Sequence, residues 1–222
     1  MKLAWRTEWL QWVLLAGMFA LAAWSWPTAP DRIPVHWGLH GQVDRYGGKF
    51  EGLLAIPLLA LAIYLLFLLL PRIDPKRANY ADFSGPYAMI RIGVLAVMAA
   101  IYGMIQAWIH GRPVDIQVWV PAIVGALFVV VGSVLGRVRP NWFVGVRTPW
   151  TLSSRVSWER TNRAGGRLFL LLGAGLIAFA PLQATWLLWA VIVGGVIGTL
   201  GLVVYSYRLW RDDPDKKSPA GD

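Results

Sequence analysis

The stretch GLLAIPLLALAIYLLFLLL (residues 52–70) runs for 19 residues without a charged side chain. A helix needs roughly 20 apolar residues to cross the hydrocarbon core of a bilayer. Its backbone groups find no water there and must bond within their own segment. Five further stretches read the same way, at residues 9–26, 88–109, 114–135, 164–182 and 184–207. None has the period-two alternation of a membrane barrel strand. The 222-residue chain is 57% hydrophobic and 15% charged, whereas an ordinary soluble domain carries about a quarter charged residues. The sequence therefore predicts an all-α integral membrane protein: a six-transmembrane-helix bundle with an ordered outer loop and a cytoplasmic interfacial helix.

Charge sets the expected orientation. Assigned to alternate sides of six spans, 17 of the 21 Lys and Arg residues fall on one side, seven of them within residues 137–167. The positive-inside rule places that side, with both termini, in the cytoplasm of a bacterial inner membrane. Anionic head groups on that face attract the same charges, so membrane lipids are an expected partner. The net charge of +9 is thus read as topology rather than nucleic-acid binding. Residues 9–26 end in Trp24-Ser25-Trp26-Pro27 without a small-residue cleavage site, which favours a retained first helix over a signal peptide. With no cysteine in the chain, disulfides, thiolate metal sites and a cysteine nucleophile are excluded.

Inside the spans, ionisable groups look scarce. Arg91, about one turn into the third span, is expected to snorkel to the cytoplasmic face, and the scarcity counts against an ion-coupled transporter. Tryptophans gather near span ends as an aromatic belt; Trp5, Trp9 and Trp12 share one face. Pro57 and Pro121 are read as lying near the first turns of their helices, where a missing N–H costs least. Gly132-x-x-x-Gly136 and Gly194-x-x-x-Gly198 offer small surfaces for packing within the bundle, preferred here, or for a homodimer. A tight hairpin is expected around Pro181-Leu182-Gln183-Ala184. The expected units are residues 1–71 (two spans and an outer loop at 27–51), 72–136 (spans three and four), 137–207 (a polar loop and spans five and six), and a disordered tail at 208–222.

Two polar segments carry whatever chemistry exists. In the outer loop PDRIPVHWGLHGQVDRYGGKFEG (residues 30–52), prolines favour extended backbone and glycines permit tight turns, so a shaped loop is expected. His36, His40 and Asp44 follow a four-residue spacing that a helix would align for metal. The prolines and glycines argue against that helix, and no metal or cofactor is assigned. In the cytoplasmic loop PNWFVGVRTPWTLSSRVSWERTNRAGGR (residues 140–167), Ser153 or Ser154 is placed to cap a helix. Arg155, Glu159, Arg163 and Arg167 form one stripe on that helix, with Glu159 spaced to pair with Arg163. This is the expected interfacial helix.

The stretch RPNWFVGVRTPWTLSSRVSWERTNRAGGRLF (residues 139–169) resembles the signature of the SdpI family of bacterial membrane immunity proteins. Pro140, Asn141, Gly145, Arg147, Thr148, Pro149, Trp150, Thr151, Leu152 and Ser153 match it, as do Trp158, Thr161 and Gly166. Relatives commonly have Thr-His where this chain has Thr161-Asn162. Arg163 lies in the same stretch and joins the candidate residues. The outer loop is similar, through Pro34, His36, Gly41, Asp44 and Lys49, to a domain of unknown function often found upstream in that family; His40 does not fit it. The resemblance implies a non-catalytic immunity and sensor protein. The family's name-giving member protects a cell from a secreted toxic peptide and holds a repressor at the membrane. Expected partners are accordingly an extracellular toxic peptide and a cytoplasmic repressor. Two other readings stay open: a membrane-embedded enzyme acting on lipid or cell-wall material through His36 and Asp44, and an uncoupled carrier of lipids or peptides.

Overall fold

The computed structural model describes residues 5–112, 114–183 and 185–216. Its long helices are α1 (Trp5–Ser25), α2 (Lys49–Ile73), α3 (Ser84–Ile109), α4 (Ile116–Leu135), α6 (Arg155–Phe179) and α7 (Thr185–Arg211), with a short α5 (Pro149–Ser153) before α6. Among the described residues, five of them are long and apolar enough to cross a membrane: α2, α3, α4, α6 extended to Leu182, and α7 from Leu188. The chain is thus a predominantly helical, multi-pass membrane protein.

The expected outer loop is ordered, as a two-stranded antiparallel hairpin of β1 (Ile33–Trp37) and β2 (Val43–Gly47). Gly41 turns it with φ +75°, a conformation that suits glycine. Ile33 is fully buried because β1 rests on α2 at Gly52, where a Cβ would lie 2.6 Å from the Ile33 side chain. Gln117 Nε2 donates to Leu39 O at 3.2 Å, tying the hairpin turn to the start of α4.

One apolar core gathers α1, α2 and α3 around Leu15, Met18, Leu53, Tyr64, Leu95 and Tyr102. A second, around Tyr80, Tyr87, Val134 and Trp158, lies at the end of the bundle away from the hairpin. Helices α4 and α6 meet almost backbone to backbone. A Cβ on Gly132 would lie 2.7 Å from Gly166 O, and one on Gly125 2.8 Å from Gly173 O. Such contacts use absent side chains to bring helix surfaces together. Gly136 meets Arg163 and Gly198 meets Leu168, so both expected glycine pairs serve packing within the chain.

The prolines of α2 reveal a second device. Helix α2 begins at Lys49, so Pro57 lies in its third turn rather than its first, and Pro71 is also within the helix. A proline removes the hydrogen bond to the carbonyl four residues earlier. Those carbonyls are Leu53 and Phe67, and each accepts from a tyrosine of α3. Tyr102 OH donates to Leu53 O at 3.0 Å, and Tyr87 OH donates to Phe67 O at 2.6 Å. Polar groups on a neighbouring helix thereby satisfy the freed carbonyls.

Three further expectations differ from the structure. Arg91 does not snorkel: it is 1% exposed and pairs with Glu8, its Nη1 and Nη2 donating to the carboxylate at 3.0 and 2.6 Å. Gln11 Oε1 accepts from Nη2 at 2.8 Å, and Tyr64 OH donates to Glu8 at 3.1 Å. An isolated buried charge is costly, and each of these satisfies the other. There is also no separate interfacial helix before the fifth span. Residues 155–167 are the first half of α6, continuous to Phe179, and Ser157, Thr161 and Gly165 on it are buried. Lastly, the tail expected to be disordered begins as helix: α7 runs to Arg211, and Asp213 is buried. Residues 217–222 and Ala184 lie outside the described residues, as does the Trp5 side chain. Gln183 makes the expected tight hairpin with φ +50°.

Candidate functional site

The sequence-predicted residues fall into two groups at opposite ends of the bundle. At the arginine-rich end, residues 137–148 fold back over the start of α6, and Asn141 organises them. Its Oδ1 accepts from the N–H groups of Phe143 and Val144 at 2.8 and 2.7 Å. Its Nδ2 donates to Arg139 O and Val144 O, both at 2.9 Å. A buried amide has two donors and an oxygen with two lone pairs, and all four positions are used. Gly145 has φ +117°, and a Cβ there would lie 2.6 Å from Asn162 Oδ1. That oxygen accepts from Val146 N at 2.8 Å. Asn162 therefore anchors backbone and is fully buried.

Thr148 and Thr151 form a capping box that starts α5, with Pro149 in its first turn. A side-chain oxygen at this position supplies an acceptor for N–H groups that lack helical partners. Thr148 Oγ1 also lies 3.0 Å from Ser206 Oγ on α7. Ser154, rather than Ser153, caps α6 through Ser157 N at 2.9 Å, and it donates to Asp213 at 2.5 Å. Ser153 donates back to Pro149 O. Trp158 is fully buried, with Nε1 donating to Val138 O at 2.8 Å. Thr161 and Gly166 are buried, Gly166 against Gly132. Arg147 and Arg163 are exposed, Arg147 donating to Trp142 O. Trp150 is half-buried, edge-on to Tyr207 with centroids 5.3 Å apart.

This end also contains residues that sequence reasoning missed. Asp74, buried between α2 and α3, accepts from Lys76 N at 2.7 Å, Tyr80 OH at 3.0 Å and Trp142 N at 2.9 Å. Asn79 Nδ2 donates to Pro140 O at 2.6 Å. The α2–α3 connection is thereby docked onto the 137–148 segment. Burial of the Tyr80 phenol, with the Asp74 carboxylate beside it, raises its pKa well above the ordinary value. A single acidic residue amid Arg72, Lys76 and Arg77 was the available signal for Asp74.

At the hairpin end, a cavity of about 440 Å3 lies beneath β1, lined by residues including Val35, Trp37, Ile101, Val124, Leu176 and Phe179. Its size falls among those of small-ligand pockets, roughly 300–1,000 Å3, and its lining is almost wholly apolar. His36 is on its rim, with Nδ1 2.6 Å from Asp44 Oδ1 across the hairpin. His40 is exposed in the turn, and among the described residues no group of three His, Cys, Asp or Glu is placed to hold a metal. Pro34 is buried on β1, Gly41 makes the turn, and Lys49 lies 4.0 Å from Asp31. At the same end of the bundle lies a polar chain. Ser25 Oγ lies 3.2 Å from His110 Nε2 and donates to Gln106 Oε1 at 2.6 Å; Gln106 Nε2 donates to Tyr102 OH at 2.6 Å. The two ends are joined by α6, which contributes Trp158 and Asn162 at one end and Leu176 and Phe179 at the other.

Comparison with known proteins bears on both ends. Residues 137–206 match the SdpI/YfhL protein family, and residues 13–61 match a domain of unknown function, DUF1648. The chain is 20% identical over 183 residues to the immunity protein SdpI of Bacillus subtilis (strain 168), covering 82% of this chain and 85% of that protein. No solved structure matches the chain. The signature-bearing end and the hairpin-bearing end are thus the two matched regions: residues 137–206 are similar to the SdpI/YfhL family and residues 13–61 to DUF1648, in a chain similar over most of its length to an immunity protein.

Proposed function

We propose that this protein is a non-catalytic immunity and sensor protein of the bacterial inner membrane. It crosses the membrane six times, α1 included, with both termini and the arginine-rich end in the cytoplasm. The hairpin then faces outward, and the apolar cavity beneath it receives the apolar face of an extracellular amphipathic peptide. That cavity is the observation that carries the reading: it is ligand-sized, apolar and capped by a shaped hairpin. Helix α6 runs unbroken from the cavity to the 137–148 segment, so displacement of Leu176 or Phe179 is passed to Trp158 and Asn162. A cytoplasmic repressor would read that end. A ligand can act in this way only if it binds two arrangements of the bundle with different affinity. The close α4–α6 seam supports a sensor over a carrier, because its backbone contacts leave no polar route between those helices.

The test is survival of a host sensitive to the secreted toxic peptide countered by the family's name-giving member. Cells expressing the intact chain should outlive cells carrying an empty vector. Equal killing of both overturns the reading.

One observation favours a second reading, a hydrolase acting on lipid esters. His36 and Asp44 converge at the mouth of an apolar cavity. His36 Nε2 would take a proton from water as the water oxygen attacks an ester carbonyl, then return it to the departing alkoxide. Fatty-acid release from phospholipid vesicles, lowered by about 100-fold or more in His36→Gln, would establish it; no release above buffer excludes it.

A further inference from the structure

A second cavity, of about 510 Å3, opens between α6 and α7 at the arginine-rich end. Val156, Tyr205 and Leu209 form its apolar part, and Arg160 and Arg208 stand over it. Both arginines are exposed, and their guanidinium groups make no hydrogen bond or ion pair to any described residue. The acidic residues that also line it are engaged. Asp212 pairs with Arg211 at 3.0 Å. Asp213 is buried, accepting from Ser154 Oγ at 2.5 Å and from Asp215 N at 3.1 Å. Two guanidinium groups without partners, set over an apolar floor, suit an anion with an apolar body. Guanidinium and phosphate oxygens match in planar, bidentate hydrogen bonds.

The surface leading away from Arg208 identifies the rest of the ligand. Val204, Leu200, Ile197 and Val193 follow it along one stripe of α7, each more than half exposed. From Val193 to Val204 the stripe is about 16 Å long at about 1.5 Å per residue, close to the ~15 Å depth of one leaflet. A free phosphate would use the arginines but not the stripe. We infer that the α6–α7 cavity is a binding site for one anionic phospholipid, its phosphate held between Arg160 and Arg208 and an acyl chain lying along the Val204–Val193 stripe.

Native mass spectrometry of the full-length protein, purified in detergent and supplied with phosphatidylglycerol or phosphatidylcholine, tests this. Phosphatidylglycerol should be retained at least five-fold more than phosphatidylcholine. Arg160→Gln/Arg208→Gln should lower its retention at least five-fold, and Arg160→Lys/Arg208→Lys should keep most of it. Arg72→Gln/Arg77→Gln, which removes two cations of the same end outside the cavity, should change it less than two-fold. Inorganic phosphate at 10-fold excess should not displace the lipid. Equal retention of the two lipids, equal loss in the Arg72/Arg77 variant, no loss in the Gln pair, or displacement by phosphate alone would each overturn the assignment.

Discussion

Replacing Tyr87 by Phe removes a single oxygen from a fully buried side chain. The ring keeps its edge contacts with Phe67, Tyr80 and Phe83 and its place beneath the Arg91 guanidinium. What is lost is the 2.6 Å donation to Phe67 O, a carbonyl that Pro71 has left without a helical partner. In water-soluble proteins an orphaned buried acceptor costs about 1–3 kcal/mol. Interhelical hydrogen bonds in membranes average nearer 0.6 and reach about 1.7 kcal/mol, since the unfolded chain in the bilayer also finds partners. Tyr87→Phe should therefore cost about 1 kcal/mol. In a Pro71→Ala background, residue 71 regains an N–H that can serve Phe67 O, so the same change should cost less than about 0.3 kcal/mol, within the error of additivity for independent sites. Reversible unfolding in mixed micelles, followed by circular dichroism over the four-member mutant cycle, measures the difference. Equal cost of Tyr87→Phe in both backgrounds would refute the tyrosine-for-proline account.

Glu8→Ala leaves Arg91 buried without its counter-charge and should cost about 3–5 kcal/mol, while Glu8→Leu/Arg91→Met should recover most of it; both are read by the same unfolding assay. On α6, Gly166→Ala forces a Cβ to within 2.7 Å of Gly132 O, whereas Gly175 has nothing within 4 Å. The first should cost about 1–3 kcal/mol, and Gly175→Ala should be neutral or stabilising by up to about 1 kcal/mol. Tyr80 has a raised folded-state pKa, so its contribution to stability is full below the unfolded value of about 10 and falls as pH rises beyond it. Alkaline unfolding should accordingly be less steep with pH in Tyr80→Phe than in the parent.

The long helices were legible because residues such as 52–70 leave the backbone no other way to bond in lipid. The burial of Arg91 is hidden from the sequence for a related reason. Hydropathy averages along the chain, but its partner Glu8 lies 83 positions away near the polar start of α1. The stripe of Arg155, Glu159, Arg163 and Arg167 fits a helix lying on a membrane as well as one standing against α7. Only the opposite face, with Ser157, Thr161 and Gly165 buried, distinguishes the two. The hairpin was legible as order, from its prolines and glycines, but its pairing was not: His36 meets Asp44 through strand register rather than helical spacing. The roles of Asn141 and Trp158 could not be read from residue type, because both are set by backbone groups that the fold brings to them.

Peptide sensing by the cavity, as proposed, requires that its volume stay open. Val124 lines it from α4, and Val124→Trp fills it without touching the 137–148 segment. Survival under challenge by the secreted toxic peptide should be high with the intact chain and fall to the empty-vector level with Val124→Trp at equal membrane abundance. Undiminished protection by Val124→Trp would contradict the account.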